Sequence, residues 1–286
     1  MNPDVDAFFD PATCTVTYLV CDPASGAAAV IDPVLDFDAR SARVETRSAD
    51  TVLRAAADRG LTIAWVLETH VHADHLSAGD HIRKATGAKV AIGARICGVQ
   101  QAFKPVFDAA DVACDGGAFD RLLGDGDVID IGGLQARVLH TPGHTPACVT
   151  YVIGDAAFVG DTLFMPDYGT ARCDFPGGGA ETLYRSIQRI LALPAETRIF
   201  VGHDYPCGGR TEPRWETTVA QEKAGNVHLC GGVDEASYVA MRKSRDATLS
   251  PPALLYPALQ VNIRAGALPP PEPSGRVFLR LPVGLG

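Results

Sequence analysis

Three histidines and an aspartate fall within six consecutive residues, at positions 70–75, where the chain reads HVHADH. The stretch follows an apolar run, residues 63–67, which is typical of a buried strand. In an extended chain, side chains two residues apart point the same way and lie roughly 6.5–7 Å from each other. His70, His72 and Asp74 can therefore converge on one point from a strand end or a tight loop. Imidazoles and carboxylates are ligands of Zn²⁺ and of non-haem iron, so the stretch predicts a metal site.

This spacing differs from two common zinc patterns. A zincin has two histidines four residues apart on a helix, with a glutamate beside the first. A structural zinc site would use cysteine pairs, and none of the eight cysteines stands in a Cys-x-x-Cys pair. We therefore expect most of the cysteines to be reduced and packed.

A second histidine pair, His140 and His144, follows a predicted strand at 134–139. The two are four residues apart, but Pro142 and Gly143 between them favour a turn over a helix. We expect His144, beyond the bend, at the metal, and His140 at the end of the strand.

Two further acidic or histidine side chains come directly after predicted strands. Asp161 follows the strand at 156–159, and His203 follows the strand at 198–201. A carboxylate at the end of a buried strand is placed like an active-site group, and the alternative is a cap of a turn or helix. Three separate strands thus end in a histidine or an aspartate.

The elements that would position these side chains alternate between strand and helix, which indicates an α/β architecture. In chain order, we predict strands at 14–21 and 27–31, a helix at 50–59, a strand at 63–68, a helix at 77–86, a strand at 89–92, a polar loop at 97–120, strands within 122–131 and at 134–139, 149–153 and 156–159, a helix at 180–193, a strand at 198–201, helices near 215–224 and 234–245, and a strand at 277–281.

Length, composition and charge limit the domain organisation, the partners and the location that can be expected. With 286 residues, 47% hydrophobic and 21% charged, and no clear linker or repeat, the chain is predicted to form one domain over 1–286. The net charge of −9 without a Lys/Arg cluster argues against nucleic acid and anionic membranes as partners. No apolar run approaches the roughly 18 residues of a membrane span, and the acidic N-terminus lacks a signal pattern, so we expect a cytoplasmic protein.

The motifs together resemble those of the metallo-β-lactamase superfamily. They are THVHADH at 69–75, TPGHT at 141–145, GDT at 160–162 and GHD at 202–204. Three other stretches resemble the persulfide (sulfur) dioxygenases, and above all their bacterial β-lactamase-like hydrolase branch: AVIDPV at 29–34, GTARCDF at 169–175 and QVNIRAG at 260–266.

The resemblance implies an αββα sandwich with a metal site at one edge of the two sheets. The C-terminal part, 206–286, would complete both this fold and the substrate pocket. It also implies one Fe(II) held by His70, His144 and Asp161, a two-histidine, one-carboxylate triad suited to oxygen activation. The groups around a vacant second metal position would be His72, Asp74, His75 and His203. A homodimer is suggested by the same resemblance.

The predicted reaction is oxidation of glutathione persulfide, or a related low-molecular-weight persulfide, by O₂ to sulfite and thiol, as in sulfide detoxification. Arg172 would bind a substrate carboxylate, since guanidinium pairs with carboxylate bidentately. The alternative for Arg172 is an ion pair with Asp174 or Asp167. Arg264 is a weaker substrate-binding candidate, and Tyr205 is expected either to donate a hydrogen bond in catalysis or simply to form part of the wall.

Two departures from the mitochondrial enzymes bear on the substrate. This chain has Ala265 where they have a cysteine, and it reads Asn-Val-His at 226–228 where their glutathione-binding segment ends in Asn-Pro-Arg. A persulfide other than that of glutathione therefore remains an alternative.

Two other functions stay open at the level of the sequence. A two-zinc hydroxyacylglutathione hydrolase of the glyoxalase II type would use all seven groups, with His70, His72 and His144 on one side, Asp74, His75 and His203 on the other, and Asp161 shared. A catalytically silent protein that senses or binds a partner is the third hypothesis, and the intact set of seven groups argues against it.

Overall fold

The computed structural model describes residues 1–284, which form fifteen strands and seven helices. In chain order the strands are β1 (Asp4–Asp10), β2 (Thr15–Cys21), β3 (Ala27–Ile31), β4 (Val34–Asp38), β5 (Arg43–Glu45), β6 (Thr62–Leu67), β7 (Leu76–Ser77), β8 (Lys89–Gly93), β9 (Arg121–Leu123), β10 (Val128–Ile131), β11 (Leu134–His140), β12 (Val149–Ile153), β13 (Ala156–Gly160), β14 (Arg198–Val201) and β15 (Glu216–Thr218). The helices are α1 (Arg47–Asp58), α2 (Gly79–Thr86), α3 (Ile96–Phe103), α4 (Ala180–Leu191), α5 (Val219–Gly225), α6 (Glu235–Asp246) and α7 (Leu255–Asn262).

The strands form two six-stranded mixed sheets and one small sheet. The first sheet has the order β1-β2-β3-β6-β8-β9, and the second runs from β10 to β15 in sequence order. The pairs β3–β6, β6–β8, β8–β9 and β13–β14 are parallel, and the other pairs of these two sheets are antiparallel. Parallel neighbours need crossover connections, and α1 to α4 lie within these four connections. The small sheet has the order β5-β4-β7.

Three apolar clusters show that the layers are helix, sheet, sheet, helix. Strand β2 is buried along its whole length, so its two faces serve two different clusters. Val16, Tyr18 and Val20 face the second sheet, whereas Leu19 and Cys21 face the helices outside the first sheet. This alternation follows from the period of two along a strand. Because both faces of β2 are covered, its second half, residues 18–21, is a continuous apolar run.

The outer layers are completed by the C-terminal helices. Leu183, Ile187 and Ile190 of α4 pack on the outer face of the second sheet, in a cluster that also holds Val219 of α5 and Tyr238 of α6. Helix α7 packs instead in the cluster outside the first sheet. Residues 206–284 thus contribute to both helical layers. No helix in the described chain is both long enough and apolar enough to cross a membrane.

Most predicted elements occur in the structure, with four differences. The predicted loop at 97–120 begins within a helix, α3, which buries Ile96, Val99 and Phe103. The predicted helix at 215–224 begins as strand β15 and becomes helical only at Val219. The predicted strand at 277–281 is not a strand, because no neighbouring strand pairs with it among residues 1–284. Strands β1, β4, β5 and β7 and helix α7 were not predicted.

A buried carboxyl, Glu222 on α5, makes the stability of this fold depend on pH. Its Oε2 accepts a hydrogen bond from Asn226 Nδ2 at 2.7 Å, and its Oε1 has no partner in the described chain. Burial raises the pKa of Glu222 to about 8. An unfolded glutamate has a pKa of about 4.3, so the folded chain binds more protons between these two pH values. Stability is therefore lost as the pH rises through this interval.

We expect Glu222→Gln to be more stable than the wild type at pH 8, and the difference to shrink towards pH 5. Each pH unit contributes at most about 1.4 kcal/mol. Urea unfolding at pH 5, 6.5 and 8 measures the effect, and Glu196→Gln, an exposed site, is the matched control. A difference between Glu222→Gln and wild type that is independent of pH would contradict this account of Glu222.

Candidate metal centre

The predicted metal-ligating side chains meet at one edge of the two sheets. His70 lies three residues beyond the end of β6, and His144 lies in the turn after β11. Asp161 directly follows β13, and His203 comes two residues after β14. His140 ends β11, and its Nε2 lies 3.0 Å from the carbonyl oxygen of Pro146. The structure therefore places His144, and not His140, in the cluster.

The first ligand group consists of His70, His144 and Asp161. The Nε2 atoms of His70 and His144 lie 3.8 and 3.7 Å from Asp161 Oδ2. All three side chains are buried, and their ligand atoms lie within 4.8 Å of one another. These distances leave room for one ion between two imidazoles and one carboxylate.

The second ligand group consists of His72, Asp74, His75 and His203. His203 Nε2 lies 3.1 Å from Asp74 Oδ2 and 3.4 Å from Asp161 Oδ1. The two oxygens of Asp161 thus face the two groups, one each. The ring of His72 lies 4.0 Å from that of His70 and 4.2 Å from that of His75, centroid to centroid, so His72 borders both groups, and the two-zinc hypothesis places it beside His70.

Atoms of both ligand groups are buried without hydrogen-bond partners in the described chain. Apart from His72 Nε2, which lies 3.0 Å from Asp32 Oδ1 without hydrogen-bond geometry, they are His70 Nε2, His72 Nδ1, His75 Nε2, His203 Nε2, Asp74 Oδ2 and Asp161 Oδ1. One buried polar atom left without a partner costs about 1–3 kcal/mol, so six of them at one place need a common explanation. A bound cation would satisfy them, and imidazole with carboxylate suits iron and zinc. The residues present therefore fit a metal ion.

Hydrogen bonds fix the tautomers of the first group. His144 Nδ1 donates to the carbonyl oxygen of Arg172 at 2.8 Å, which leaves Nε2 as the lone-pair nitrogen. Thr69 Oγ1 donates its one proton to Asp32 at 2.7 Å, so it must accept from His70 Nδ1, 3.0 Å away. The Nε2 lone pairs of both histidines are then directed to the site, as in metal centres with ordered outer partners.

Hydrogen bonds of Thr15 likewise fix the tautomers of His75 and His203 in the second group. The Nδ1 atoms of His75 and His203 both lie 3.3 Å from Thr15 Oγ1. Thr13 Oγ1 donates to Asp10 at 2.6 Å, so Thr15 must donate to Thr13, 2.8 Å away. The hydroxyl of Thr15 is then an acceptor for the imidazoles, whose Nε2 atoms remain free to bind a metal.

Burial and charge set the protonation of the histidines. Burial, together with the neighbouring imidazoles of His72 and His144, lowers the pKa of His70 well below its usual value. The neutral form of His70 is the form that binds metals. Burial also acts to lower the pKa of His72, but the Asp32 carboxylate, 3.0 Å from Nε2, outweighs it and raises the pKa. His72 Nε2 thus keeps a proton that faces Asp32, and a metal would bind Nδ1 once that nitrogen has lost its proton.

Asn262, at the end of α7, holds the histidine loop in place. Its Nδ2 donates to the carbonyl oxygens of His72 and His75 at 2.9 and 2.8 Å. Its Oδ1 accepts from the backbone N–H of Ser77 at 2.7 Å. Asn262, Thr15 and Asp32 were not predicted as site residues. Asn262 and Asp32 do lie in the QVNIRAG and AVIDPV stretches, which was the available signal.

The position before His203 has no room for a side chain, which is why it is a glycine, Gly202. A Cβ atom at this position would lie 2.7 Å from Asp161 Oδ1. Such an approach would displace the carboxylate that faces both ligand groups. The glycine of the GHD motif is therefore needed for the close contact of β14 with the loop after β13.

A cavity of about 370 Å³ opens onto the ligand groups. Its inner end is formed by Asp74, His144 and Asp161, and its outer wall by the C-terminal part of α6 and residues 249–253. The volume lies within the range of small-molecule sites, about 300–1,000 Å³. Tyr205 lines this cavity, and its ring stacks on that of His203 with centroids 5.7 Å apart. Burial, with Asp74 and Asp161, raises the pKa of Tyr205, so the phenol stays protonated.

The two predicted substrate-binding arginines differ in position. Arg172 lines the cavity, but its guanidinium is paired with both oxygens of Asp174 at 2.6 Å and also donates to the Ser250 carbonyl oxygen. Arg264 is 9% exposed, binds Asp111 bidentately at 2.7 and 2.8 Å, and is absent from the cavity wall. The structure therefore does not bring Arg264 to the site, and it gives Arg172 the ion pair that was its structural alternative.

Comparison with known proteins identifies the family. Residues 12–203 match the model of the metallo-beta-lactamase superfamily. The chain belongs to this superfamily, and the four layers and the edge position of the ligand groups agree with the predicted αββα fold.

Three relatives are similar to this chain over 98% of its length. The chain is 52% identical to a probable metallo-hydrolase of Burkholderia pseudomallei, over 98% of both chains. It is 53% identical to the beta-lactamase hydrolase-like protein of Agrobacterium fabrum, and it spans only 65% of that protein's length. It is 42% identical to glyoxylase B2 of Dictyostelium discoideum, over 98% of this chain and 96% of the relative.

The chain is also similar to proteins that carry the name ETHE1. The chain is 32% identical to the mitochondrial persulfide dioxygenase ETHE1 of Bos taurus, over 92% of this chain and 89% of the relative. The crystal structure of ETHE1 from Myxococcus xanthus superposes with a TM-score of 0.74 at 31% identity, covering 92% of this chain and all of that one. The persulfide dioxygenase activity in these names is that of the relatives.

Proposed function

We propose that the protein is an Fe(II)-dependent persulfide dioxygenase, which oxidises a low-molecular-weight persulfide such as glutathione persulfide. The observation that carries the proposal is the first ligand group, two imidazoles and one carboxylate on a solvent-reachable cavity. Two histidines and one carboxylate are the ligand set of non-haem Fe(II) oxygenases. The similarity to a persulfide dioxygenase over 92% of the chain supports the same reaction.

The proposed reaction converts R–S–SH, O₂ and H₂O into R–SH, SO₃²⁻ and two protons. The terminal sulfur is oxidised by four electrons, O₂ is reduced by four, and the S–S bond breaks. Fe(II) held by His70, His144 and Asp161 would supply the redox chemistry and open coordination positions. The thiol leaves with its carbon skeleton unchanged, which suits a role in sulfide detoxification.

The chain's own residues would prepare this chemistry. The carbonyl oxygen of Arg172 orients His144, and Thr69 orients His70. Tyr205 presents a protonated phenol at the cavity beside Asp74 and Asp161. It is the group we assign to donate a hydrogen bond to the reacting sulfur or to a metal ligand. Apolar side chains in the wall, among them Phe164 and Leu249, would limit water around the persulfide.

A second candidate function is a two-metal thioester hydrolase of the glyoxalase II type. The specific observation in its favour is the second ligand group, whose four side chains meet the first group at Asp161. Two metals sharing a carboxylate can activate water for hydrolysis. The 42% identity to glyoxylase B2 points in the same direction.

An oxygen electrode separates the two functions. We expect iron-loaded protein to consume O₂ only after a persulfide is added, and to release one sulfite for each O₂ consumed. Zn²⁺ has no redox chemistry, so a zinc hydrolase would leave dissolved oxygen unchanged while cleaving S-lactoylglutathione. Both assays should use the same preparation, after iron loading and after zinc loading.

The outcomes of this experiment exclude each other. No oxygen uptake by the iron-loaded sample, with rapid thioester cleavage by the zinc-loaded one, would replace the dioxygenase proposal by the hydrolase. The metal content of protein purified without added metal should accompany both assays.

A further inference from the structure

Three arginines line the cavity, and two of them are already paired within the chain. Arg242 is 1% exposed, contacts Asp246 Oδ1 at 2.6 Å, and donates to the carbonyl oxygen of Thr170 at 3.0 Å. Arg172 is held by Asp174 and by the carbonyl oxygen of Ser250. Binding a substrate carboxylate at either arginine would require breaking these bonds.

The third arginine, Arg245, has no such partner. Its side chain is exposed and makes no ion pair or hydrogen bond with any residue in 1–284. It lies three residues beyond Arg242 on α6, so the two side chains lie on the same side of the helix. Arg245 is thus a cation that faces the cavity and is free to bind a ligand.

The acidic residues that line the cavity are both at its inner end. They are Asp74 and Asp161, whose carboxylates belong to the ligand groups and would be neutralised by metal. His228, near Arg245, adds no positive charge, since its Nδ1 accepts a hydrogen bond from the backbone N–H of Thr170 at 2.9 Å. Burial, with Arg242 and Arg245, lowers the pKa of His228 to about 4. The unpaired charge of the outer wall is therefore the single guanidinium of Arg245.

We propose that Arg245 is the specificity-determining residue of this cavity, and that it binds a carboxylate at the end of the substrate remote from the sulfur. This inference rests on the proposed function for the nature of the sulfur group. The substrate class is then a persulfide of an anionic thiol, oriented with its sulfur inward and its carboxylate on α6. Guanidinium recognises carboxylate bidentately, which fixes orientation as well as charge.

A purely structural role for Arg245 is the competing explanation. A cation in the last turn of a helix interacts favourably with the helix dipole, and an exposed arginine can simply be solvated. Both roles leave ligand affinity unchanged, whereas carboxylate recognition does not. Ligand binding therefore separates them, with no need for turnover.

The experiment measures binding of two probes to metal-loaded protein by isothermal titration calorimetry. The probes are glutathione and its diethyl ester, which lacks both carboxylates. We expect wild-type protein to bind glutathione more tightly than the ester. Arg245→Ala should weaken glutathione binding about tenfold, equivalent to about 1.4 kcal/mol, and leave the ester unchanged. Arg245→Lys should restore part of the preference, and Arg54→Ala, an exposed site on α1, is the matched control.

Two results would overturn the inference: a wild-type protein that binds both probes equally, or an Arg245→Ala variant that keeps the wild-type preference. An equal loss for both probes would also overturn it, because the role of Arg245 would then be structural. Failure of the proposed function would appear separately, as absence of O₂ uptake by wild-type protein. The calorimetric result does not depend on that assay.

Discussion

Replacing Asp161 with alanine is expected to abolish metal retention and all turnover. The carboxylate is the anionic member of the first ligand group, and its other oxygen lies 3.4 Å from His203 Nε2. Changes in outer partners of a metal site typically cost about 10–100-fold in metal affinity, so we expect loss of a ligand itself to cost more than about 100-fold. The metal content of purified protein, and of protein dialysed against graded chelator, measures the effect.

Two further variants sharpen this result. Asp130→Ala, at an exposed site on β10 in the same sheet, controls for loss of an acidic residue and should keep full metal content. His203→Ala removes a member of the second ligand group only. Under the one-iron proposal it retains its iron, whereas a two-metal enzyme would lose one of two ions. Iron at the wild-type level in Asp161→Ala would remove Asp161 from the ligand set.

The ligands were accessible to sequence reasoning because the chain places them next to strand ends. Continuous apolar runs and the positions of Gly and Pro locate strands such as β6 and β13 well, and the residues that follow then share one sheet edge. Which histidine belongs to which group depends on side-chain orientation. His72 follows His70 by two residues, but its Nε2 is held by Asp32, 40 residues earlier in the chain. No local pattern contains that contact.

Contacts between residues that are far apart in the chain also determine which arginines are free to bind a substrate. Arg264 stands in QVNIRAG, one of the stretches that resemble the persulfide dioxygenases, but Asp111, which pairs with it, lies 153 residues away in the chain. Arg245 lies in no recognised motif, and its interest comes from the absence of a partner along the described chain and from the cavity beside it. Free and occupied guanidiniums look identical in a sequence.

The missed and misplaced elements have similar causes. Helix α3 has Ile96, Val99 and Phe103 at helical spacing, but it is short and contains Gly98 near its start, which weakens the local signal. Residues 277–281 have the composition of a strand, yet a strand needs a neighbour to pair with. Val277 and Phe278 are instead 41% and 51% exposed. Local composition does not specify a pairing partner.

The largest expected effect on stability comes from Gly143→Ala, in the turn that carries His144. The backbone at Gly143 has φ of 139°, a conformation that other residues rarely adopt. A Cβ atom there would lie 2.5 Å from Leu183 Cβ and closer still to the backbone of Leu183. The turn is fixed on α4, since Ser186 Oγ donates to the Pro142 carbonyl oxygen at 2.6 Å and Gly179 N–H donates to the Gly143 carbonyl oxygen at 2.9 Å.

Neither the turn nor α4 can therefore yield without loss of contacts. Backbone strain of about 1–3 kcal/mol and overpacking of about 1–3 kcal/mol together predict a destabilisation of about 2–6 kcal/mol. Because the same turn aims His144 at Asp161, metal affinity should fall together with stability. Urea unfolding and metal content measure the two effects on one preparation.

Gly98→Ala is the matched control, since a Cβ atom on α3 there meets nothing within 4 Å, and it should stabilise by about 0.5–1 kcal/mol. A Gly143→Ala protein as stable as wild type, with normal metal content, would show that the turn is free to move and that α4 does not position His144.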